Sequence, residues 1–464
     1  MTSDLRRLAG AAIAVVLLFA PAAALATVST DIPNADGIPS RLYYDHMVMQ
    51  HGASVPVWGT SNAAEHVTVT IASQTKPTVA DNAGRWRVTL DPMPPGGPYD
   101  LVIQGDDNTL DFTDVMVGDV WLMAGQSNLM IRRPTQGDLA QFPNARVFKR
   151  SWTDRPGDIP FGFAKVMGEE LGMTVGVLQC ALRGASALSR TWLGPDATNN
   201  PDPEIQAIVA SGNYGQSYMT AVRNVAGFPV KGMIWWQGES DARTEIDPGE
   251  QYSHVLPAIV ESWRAAWNDN SIPFLFLQEP VGDGYQADQV GPTALPDPNF
   301  SPERSASFRD AYIRSLSEPN TQVITSADLV GGVHPRDREG YTFRIAAAVL
   351  GFVYGEPLTF AGPTYSSMSI ESGNHVRLKF RAGTVSNLQS VGGPLQGFSI
   401  SPDDIHFVWA NAEIQGSDVV VWNDSVPSPL VVRYGYHKDY SFANLFNDAG
   451  MAAPTFTTHA HPYQ

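Results

Sequence analysis

The sequence is poor in cysteine and in basic residues. Cys180 is the only cysteine among 464 residues, so no intrachain disulfide can form and packing has to stabilise the fold. It lies in the apolar run 177–181, which favours a buried, inert thiol over a nucleophile. Lys and Arg number 30 against 47 Asp and Glu, which gives a formal net charge of -17. This charge argues against nucleic acid and anionic membranes as partners.

Long hydrophobic runs are absent after residue 26, so no later segment is expected to cross a bilayer. Near the N-terminus, Arg6 and Arg7 precede the apolar run Leu8–Ala20, which Pro21 interrupts. Small residues follow as far as Ala26, the arrangement of a cleavable secretory signal. A retained membrane anchor is the alternative, but the run is shorter than most spanning helices. We predict cleavage near Ala26 and a secreted or periplasmic protein that is not attached to the membrane afterwards.

Hydrophobic periodicity divides the rest of the chain into three parts. Residues 27–115 and 358–464 alternate apolar and polar positions in short bursts, which predicts an N-terminal and a C-terminal β-domain. Residues 116–357 alternate strands with helices, which predicts an α/β domain with a mostly parallel sheet covered on both faces. The predicted strands of this domain are Val117–Ala124, Thr174–Gln179, Lys231–Trp236, Phe274–Gln278 and Gln322–Ala327. The predicted helices are Phe163–Leu171, Gln251–Trp267, Glu303–Leu316 and Asp337–Val353.

Two strand ends in this domain carry residues suited to acyl transfer. Ser127 follows the first predicted strand and His334 follows the last, and loops at the carboxyl ends of parallel strands meet at one edge of the sheet. Leu129 stands where the second glycine of a Gly-x-Ser-x-Gly elbow would fall, so the common α/β-hydrolase pattern is absent. Two further strand-end loops contain Gly184 and Gln237, whose amides are suitable oxyanion donors together with the N–H of Ser127.

Other residues support competing hypotheses. Glu239 and Asp241 are read either as the paired carboxylates of a glycosidase or as loop-forming acids. The sequence His459-Ala460-His461 lacks nearby acidic or histidine ligands, so we expect no metal site there. Three tryptophans, at positions 192, 235 and 236, suit a sugar-binding platform. The alternative is that Trp235 and Trp236 are divided between core and site, because successive strand side chains face opposite ways.

Taken together, these features resemble the SGNH-type hydrolases, and within them the sialate O-acetylesterase and carbohydrate acetylesterase branch. The resemblance covers nearly everything after residue 40 and rests on these segments: Gly125-Gln126-Ser127-Asn128, Ile234-Trp235-Trp236-Gln237-Gly238-Glu239-Ser240, His334-Pro335, Arg433-Tyr434-Gly435-Tyr436 and Ala443-Asn444-Leu445-Phe446-Asn447. It implies a flavodoxin-like, three-layer α/β/α domain between the two β-domains. It also implies that Ser127 attacks an acetyl carbonyl, that His334 is the base, and that Gly184 and Gln237 help hold the oxyanion.

The implied partner is an O-acetylated carbohydrate, and no cofactor or metal ion is expected. Sialic acid and acetylated plant or microbial polysaccharide both fit the resemblance. The oligomeric state stays open.

One departure from the family pattern concerns the histidine. Members usually carry an aspartate two or three residues before it, where this chain has Gly331 and Gly332. Another group must then support the imidazole, or catalysis falls by orders of magnitude. The candidates for this third member are Asp328 and Glu239, followed by Asp241 or a backbone carbonyl. A carbohydrate-binding homologue with weakened catalysis is therefore an alternative, and a glycosidase that uses Glu239 is a second one.

Overall fold

The structure is a computed structural model. It describes residues 28–30, 32–33, 39–40, 42–132, 141–149, 151–152, 156–212, 214–242, 248–278, 295–299, 305–329, 331–336, 338–371, 373–437 and 440–459. The predicted signal segment, residues 1–26, and His461 lie outside these residues. Within the described part of the chain, no helix is both long and apolar enough to span a membrane.

The N-terminal region consists of short strands with alternating burial. In the segment 66–71, for example, Val67, Val69 and Ile71 are buried while the residues between them are more exposed, the pattern of a half-covered sheet. The strands of this region are β1 (Ile32–Pro33), β2 (Pro39–Ser40), β3 (Val48–Gln50), β4 (Val55–Thr60), β5 (His66–Ile71), β6 (Gln74–Val79), β7 (Arg85–Leu90), β8 (Gly96–Gln104) and β9 (Thr109–Gly125).

The strand β9 joins this region to the α/β region. Its first half pairs antiparallel with β8, and its second half lies between two parallel strands of the central ten-stranded sheet. The predicted boundary between residues 115 and 116 therefore falls inside one continuous strand. A single buried cluster contains side chains from both regions, including Val57 and Leu178. The domain bounds at 115 and 357 stay predictions.

The α/β region follows the predicted alternation of strands and helices. Its elements after β9 are β10 (Ala145–Phe148), α1 (Asp158–Leu171), β11 (Val175–Ala181), α2 (Pro203–Ala210), β12 (Gly232–Trp236), α3 (Pro248–Trp267), β13 (Phe274–Leu277), α4 (Ser305–Arg314), β14 (Thr321–Ile324) and α5 (Arg338–Val353). Short 3₁₀ and π turns occupy Ser127–Leu129, Pro195–Asn199, Tyr218–Val222, Arg223–Val225 and Ser315–Ser317.

The parallel strands lie in the order β10-β11-β9-β12-β13-β14. Successive residues of β9 face opposite sides: Leu122 packs in the core that contains α3 and α4, and Trp121 packs in the core that contains α1 and α5. Helices therefore cover both faces of the sheet. The predicted three-layer α/β fold with additional β-sheets in the N- and C-terminal regions is confirmed.

The C-terminal region has a separate buried cluster, centred on residues such as Leu378 and Val419. Its strands are β15 (Tyr365–Ile370), β16 (Val376–Phe380), β17 (Gln389–Ser390), β18 (Phe398–Ser401), β19 (Val408–Trp409), β20 (Asn411–Gln415), β21 (Asp418–Trp422), β22 (Val431–Tyr434), β23 (Leu445–Phe446) and β24 (Phe456–Thr457). Residues 405–409 are mostly apolar, yet only Val408 and Trp409 form a strand. The Asp403 carboxylate accepts hydrogen bonds from the N–H groups of Ile405 (3.0 Å) and His406 (2.8 Å), so the chain turns there instead.

Candidate active site

Three neighbouring strands end at the same level in the centre of the sheet. Gly125, the last residue of β9, is in register with Ala181 of β11 on one side and with Trp236 of β12 on the other. The loops that follow these strands therefore leave the sheet side by side. This is the edge at which ligands bind in open α/β sheets.

Only glycine fits at the end of β9. Gly125 has a φ of +150°, and a Cβ added there would lie 1.8 Å from the carbonyl oxygen of Trp236. The close approach is held by two backbone hydrogen bonds, from the N–H of Gln126 to the Trp236 carbonyl (3.2 Å) and from the N–H of Leu182 to the Gly125 carbonyl (3.0 Å). Ser127 is thereby presented one turn beyond the strand, at the start of a 3₁₀ turn.

The serine and the histidine identified from the sequence meet at this edge. Ser127 Oγ lies 2.9 Å from His334 Nε2, although 207 residues separate them. Ser127 is partly exposed and His334 is exposed, so a substrate can reach both. When the imidazole is neutral with its proton on Nδ1, Nε2 accepts a hydrogen bond from the hydroxyl and is placed to take its proton.

Two backbone donors in the loops that follow β9 and β11 have no acceptor among the described residues. They are the N–H groups of Ser127 and of Gly184. Gly184 is exposed, and its φ of +58° is a conformation that glycine adopts readily. Both groups therefore remain available to a ligand oxygen.

Gln237 lies at the site but its amide is engaged elsewhere, which corrects its predicted place among the oxyanion donors. Its Nε2 donates to the Ala185 carbonyl (3.1 Å) and to the Asp241 carboxylate, while its Oε1 accepts from the Tyr252 hydroxyl (3.1 Å). The side chain is 1% exposed. Because both N–H groups already have acceptors inside the protein, neither is directed at the serine.

The predicted third members of the site do not contact the imidazole. Asp328 forms a two-point ion pair with Arg344, at 2.9 Å and 2.6 Å, and makes no hydrogen bond to His334. Burial raises the pKa of Glu239 to about 7, and its carboxylate is bound by side chains other than His334. The hypothesis that either carboxylate orients His334 directly is therefore corrected, because each is already paired with other donors.

Asp241 supports the glycine loop instead. Its carboxylate accepts from the N–H groups of Ala187 (2.8 Å) and Leu188 (3.1 Å) and from the Ser186 hydroxyl. Desolvation by burial raises its pKa. The two acids of this loop are 4% and 0% exposed, for Glu239 and Asp241 respectively. They cannot flank a sugar as the paired carboxylates of a glycosidase do.

Asn128, the residue after Ser127, is the centre of a buried polar network that the sequence patterns did not identify. Asn128 donates to the Val333 carbonyl (2.9 Å) and to Glu239, and its Oδ1 accepts from Arg338 (3.0 Å). Arg338 also pairs with Asp158 at 2.7 Å. The position of Arg338, four residues after His334 at the start of a helix, was the one available signal.

The tryptophans are structural. Trp192, Trp235 and Trp236 are each 0% exposed, so a sugar cannot stack on them and the platform hypothesis is corrected. Trp235 packs against Trp192 on one side of the sheet, and Trp236 stacks on Tyr341 on the other, as the alternation of strand side chains requires.

Cys180 and the C-terminal histidines were the other reactive or metal-binding candidates considered from the sequence. Cys180 is buried, and desolvation raises the pKa of its thiol to about 12. His459 Nδ1 lies 2.8 Å from an oxygen of Asp404. The described residues contain no group of three or more His, Cys, Asp or Glu side chains arranged to hold a metal ion.

Known proteins similar to this chain were found by sequence and by structure. Residues 155–329 match the family model of a carbohydrate esterase, sialic acid-specific acetylesterase. The chain is 24% identical to the sialate O-acetylesterase of Mus musculus over 421 residues, which cover 71% of this chain and 76% of the mouse protein. It is 24% identical to the sialate O-acetylesterase of Homo sapiens over 383 residues, which cover 70% of this chain and 72% of the human protein.

The structural comparison extends beyond the α/β region. A carbohydrate acetylesterase from Xanthomonas citri superposes with a TM-score of 0.76 and 27% sequence identity, covering 91% of this chain and 99% of that one. A similar overall fold therefore occurs in a carbohydrate acetylesterase. The family model, the relatives and this structure together confirm the predicted resemblance to the sialate O-acetylesterase and carbohydrate acetylesterase branch, and they are consistent with a carboxylic ester hydrolase.

Proposed function

We propose that this protein removes O-acetyl groups from a carbohydrate through an acetyl-enzyme formed on Ser127, with His334 as the general base and acid. The observation that carries the proposal is the 2.9 Å separation of Ser127 Oγ and His334 Nε2 at the carboxyl ends of the central strands. A hydroxyl in contact with an accessible imidazole, with backbone N–H groups in adjacent strand-end loops that have no acceptor among the described residues, is the minimum arrangement for acyl transfer.

In the first half of the reaction, the Ser127 oxygen attacks the acetyl carbonyl while its proton passes to Nε2 of His334. The N–H groups of Ser127 and Gly184 stabilise the negative charge that develops on the carbonyl oxygen. When the tetrahedral intermediate collapses, the imidazolium returns the proton to the departing sugar oxygen. Water then attacks the acetyl-enzyme with His334 again acting as base, which releases acetate and restores the serine.

The proposed substrate is an O-acetylated carbohydrate, which is supported by the names of the relatives. The mammalian proteins are named sialate O-acetylesterases and the Xanthomonas citri protein a carbohydrate acetylesterase. The formal net charge of -17 is a mild argument against an anionic sugar, although local charge can outweigh the total.

Acetate release from a panel of substrates tests this function. The panel comprises O-acetylated sialic acid, acetylated xylan, acetylated oligosaccharides and an activated acetyl ester, each given to the wild type and to Ser127→Ala. We expect acetate from at least one sugar with the wild type and none with the variant. Retained activity in Ser127→Ala rejects the serine mechanism. Sugar binding without acetate release favours the binding-protein alternative, and new reducing ends without acetate favour a glycosidase.

We also propose that the protein is exported, on the basis of the signal-like segment 1–26. The N-terminal sequence of the protein recovered from the medium or the periplasm tests this. Export predicts a mature chain that begins near Thr27. An uncleaved chain retained with the cells contradicts it.

A further inference from the structure

We propose that Glu239 is a positioning residue of the serine site: its carboxylate holds the residues on both sides of Ser127 and, through Asn128, the backbone next to His334. The inference rests on the proposed function. It assigns Glu239 neither the role of a third triad member nor that of a glycosidase acid.

One carboxylate binds both neighbours of the serine. One oxygen of Glu239 accepts from the side-chain amide of Gln126, and the other accepts from the side-chain amide of Asn128 and from Trp236 Nε1, at 3.1 Å for the indole. Gln126 and Asn128 are 2% and 0% exposed. Because the residues before and after Ser127 are anchored to the same buried group, the Ser127 backbone, including its N–H, is fixed relative to β12.

The same network reaches the histidine loop. The second amide hydrogen of Asn128 binds the Val333 carbonyl at 2.9 Å, and Val333 immediately precedes His334. Arg338 donates to Asn128 Oδ1 at 3.0 Å and also to the Asn128 carbonyl. Every donor and acceptor of the Asn128 side chain is therefore used, and the amide holds a single orientation. The serine and histidine loops are joined through this side chain.

The network requires an acceptor with two oxygens. Three side-chain N–H donors converge on Glu239, and its carboxylate, when ionised, accepts at both oxygens without offering a competing donor. A glutamine has one oxygen and one NH₂ group, so it either faces a neighbouring amide donor to donor or forces the Gln126 amide, whose buried Oε1 has no partner among the described residues, to rotate. Buried donors left in this way are costly, and the loops are expected to shift to relieve them.

Glu239 has no direct part in the chemistry. It is 4% exposed and makes no hydrogen bond to His334 or to Ser127 Oγ. Its effect is therefore on the placement of the reacting groups, and small displacements of such groups are expensive: about 1 Å can cost about 10²-fold in rate.

The test is Glu239→Gln, assayed with an activated acetyl ester. We expect kcat to fall about 10²-fold while KM changes less than about threefold, because the variant misplaces Ser127 and His334 without removing a substrate contact. The rate at which a fluorophosphonate labels Ser127 should fall in parallel, since it reports the same geometry. Glu239→Asp keeps two acceptor oxygens and should recover part of the lost kcat.

The matched control is Asp310→Asn, which alters another carboxylate that is nearly fully buried, at 2% exposed. Its carboxylate binds Arg314 and the N–H of Thr457, away from the serine. The control should lose thermal stability but keep kcat. Should Glu239→Gln fail to fold, Asn128→Ala takes its place, with the same expected drop in kcat.

The outcomes separate this inference from the proposed function. A folded Glu239→Gln, or Asn128→Ala where the former does not fold, with kcat within about threefold of the wild type overturns the positioning role. If in the same series Ser127→Ala is inactive, the serine mechanism stands while the positioning role is lost. If Ser127→Ala is active, the proposed function itself is rejected.

Discussion

Glu239 is an acid whose burial changes its ionisation. Desolvation raises the pKa of its carboxyl from 4.5 to about 7, against the lowering effect of hydrogen bonds from Asn128 and Trp236. The folded protein therefore binds this proton more tightly than the unfolded chain does. By linkage, the free energy of unfolding contributed by Glu239 is greatest below pH 4.5, decreases as the pH rises, and is constant again above about pH 7.

The raised pKa of Glu239 predicts that the free energy of unfolding falls as the pH rises from 4.5 to 7. Relative to Glu239→Gln, whose side chain does not titrate, the wild type should lose about 3 kcal/mol of unfolding free energy between pH 4.5 and pH 7. Urea denaturation of both proteins at intervals of half a pH unit measures the difference. A difference that is independent of pH would contradict the raised pKa.

Substitutions of His334 and Asp328 are expected to have very different effects on kcat. His334→Ala should lower kcat by about 10³-fold or more, because it removes the base that contacts Ser127. Asp328→Asn should leave kcat within about threefold, since Asp328 pairs with Arg344 and not with the imidazole. Steady-state kinetics with an activated acetyl ester distinguish them, and an equal loss in both variants would count against this assignment.

Among the elements, α1 and α5 are joined at their N-termini by a buried ion pair. Arg338 and Asp158 lie 2.7 Å apart with side chains that are 5% and 8% exposed, and the guanidinium also lies over the Trp236 ring. The pair brings the first turn of α5 to the serine loop through Asn128. It therefore contributes both to helix packing and to the placement of the site.

Breaking this pair should be costly. Asp158→Ala leaves the Arg338 guanidinium buried without its carboxylate and should lower the free energy of unfolding by about 3–5 kcal/mol. The control is Glu371→Ala, which removes a more exposed ion pair with Arg377 and should cost far less, because solvent screens exposed charges. Equilibrium unfolding in urea measures both. Similar small losses would show that the buried pair contributes little.

Element boundaries were predictable where the hydrophobic period was long and uninterrupted. The sequence patterns placed α3, α5 and the parallel strands β11–β14 within a few residues of their observed bounds. They did not identify β10 or α2, which span 4 and 8 residues and carry too few repeats to establish a period. They also began the first strand of the α/β region at Val117, whereas β9 begins at Thr109, because the change from antiparallel to parallel partners along β9 depends on strands distant in sequence.

At the scale of the whole molecule, the N-terminal strands and the α/β region share one strand and one core. Val57 of β4 and Cys180 of β11 belong to the same buried cluster, whereas Val419 of β21 belongs to the separate C-terminal cluster. The first two parts are therefore expected to unfold together.

The single cysteine reports on this coupling. Because Cys180 is buried and burial raises the pKa of its thiol to about 12, it should react with a thiol reagent at pH 8 only after unfolding. Val57→Ala should lower the urea midpoint of Cys180 labelling, as expected for a loss of about 2 kcal/mol from the shared core. Val419→Ala is the matched change in the C-terminal cluster and should shift this midpoint less. Labelling of Cys180 that is unaffected by Val57→Ala would show that the two parts unfold independently.

The sequence by itself determined the layered α/β fold with additional β-sheets in the N- and C-terminal regions, and the choice of Ser127 and His334 as candidate reacting groups. These follow from local information: hydrophobic period, strand-end loops and short motifs. Only the tertiary structure decided how the neighbouring polar groups pair, with Gln237 bound to Asp241, Asp328 bound to Arg344, and Glu239 bound to the residues beside the serine. A carboxylate or an amide has several potential partners in sequence. The partner it acquires depends on which donors the packed sheet and helices bring within about 3 Å of it, and no local pattern encodes that distance.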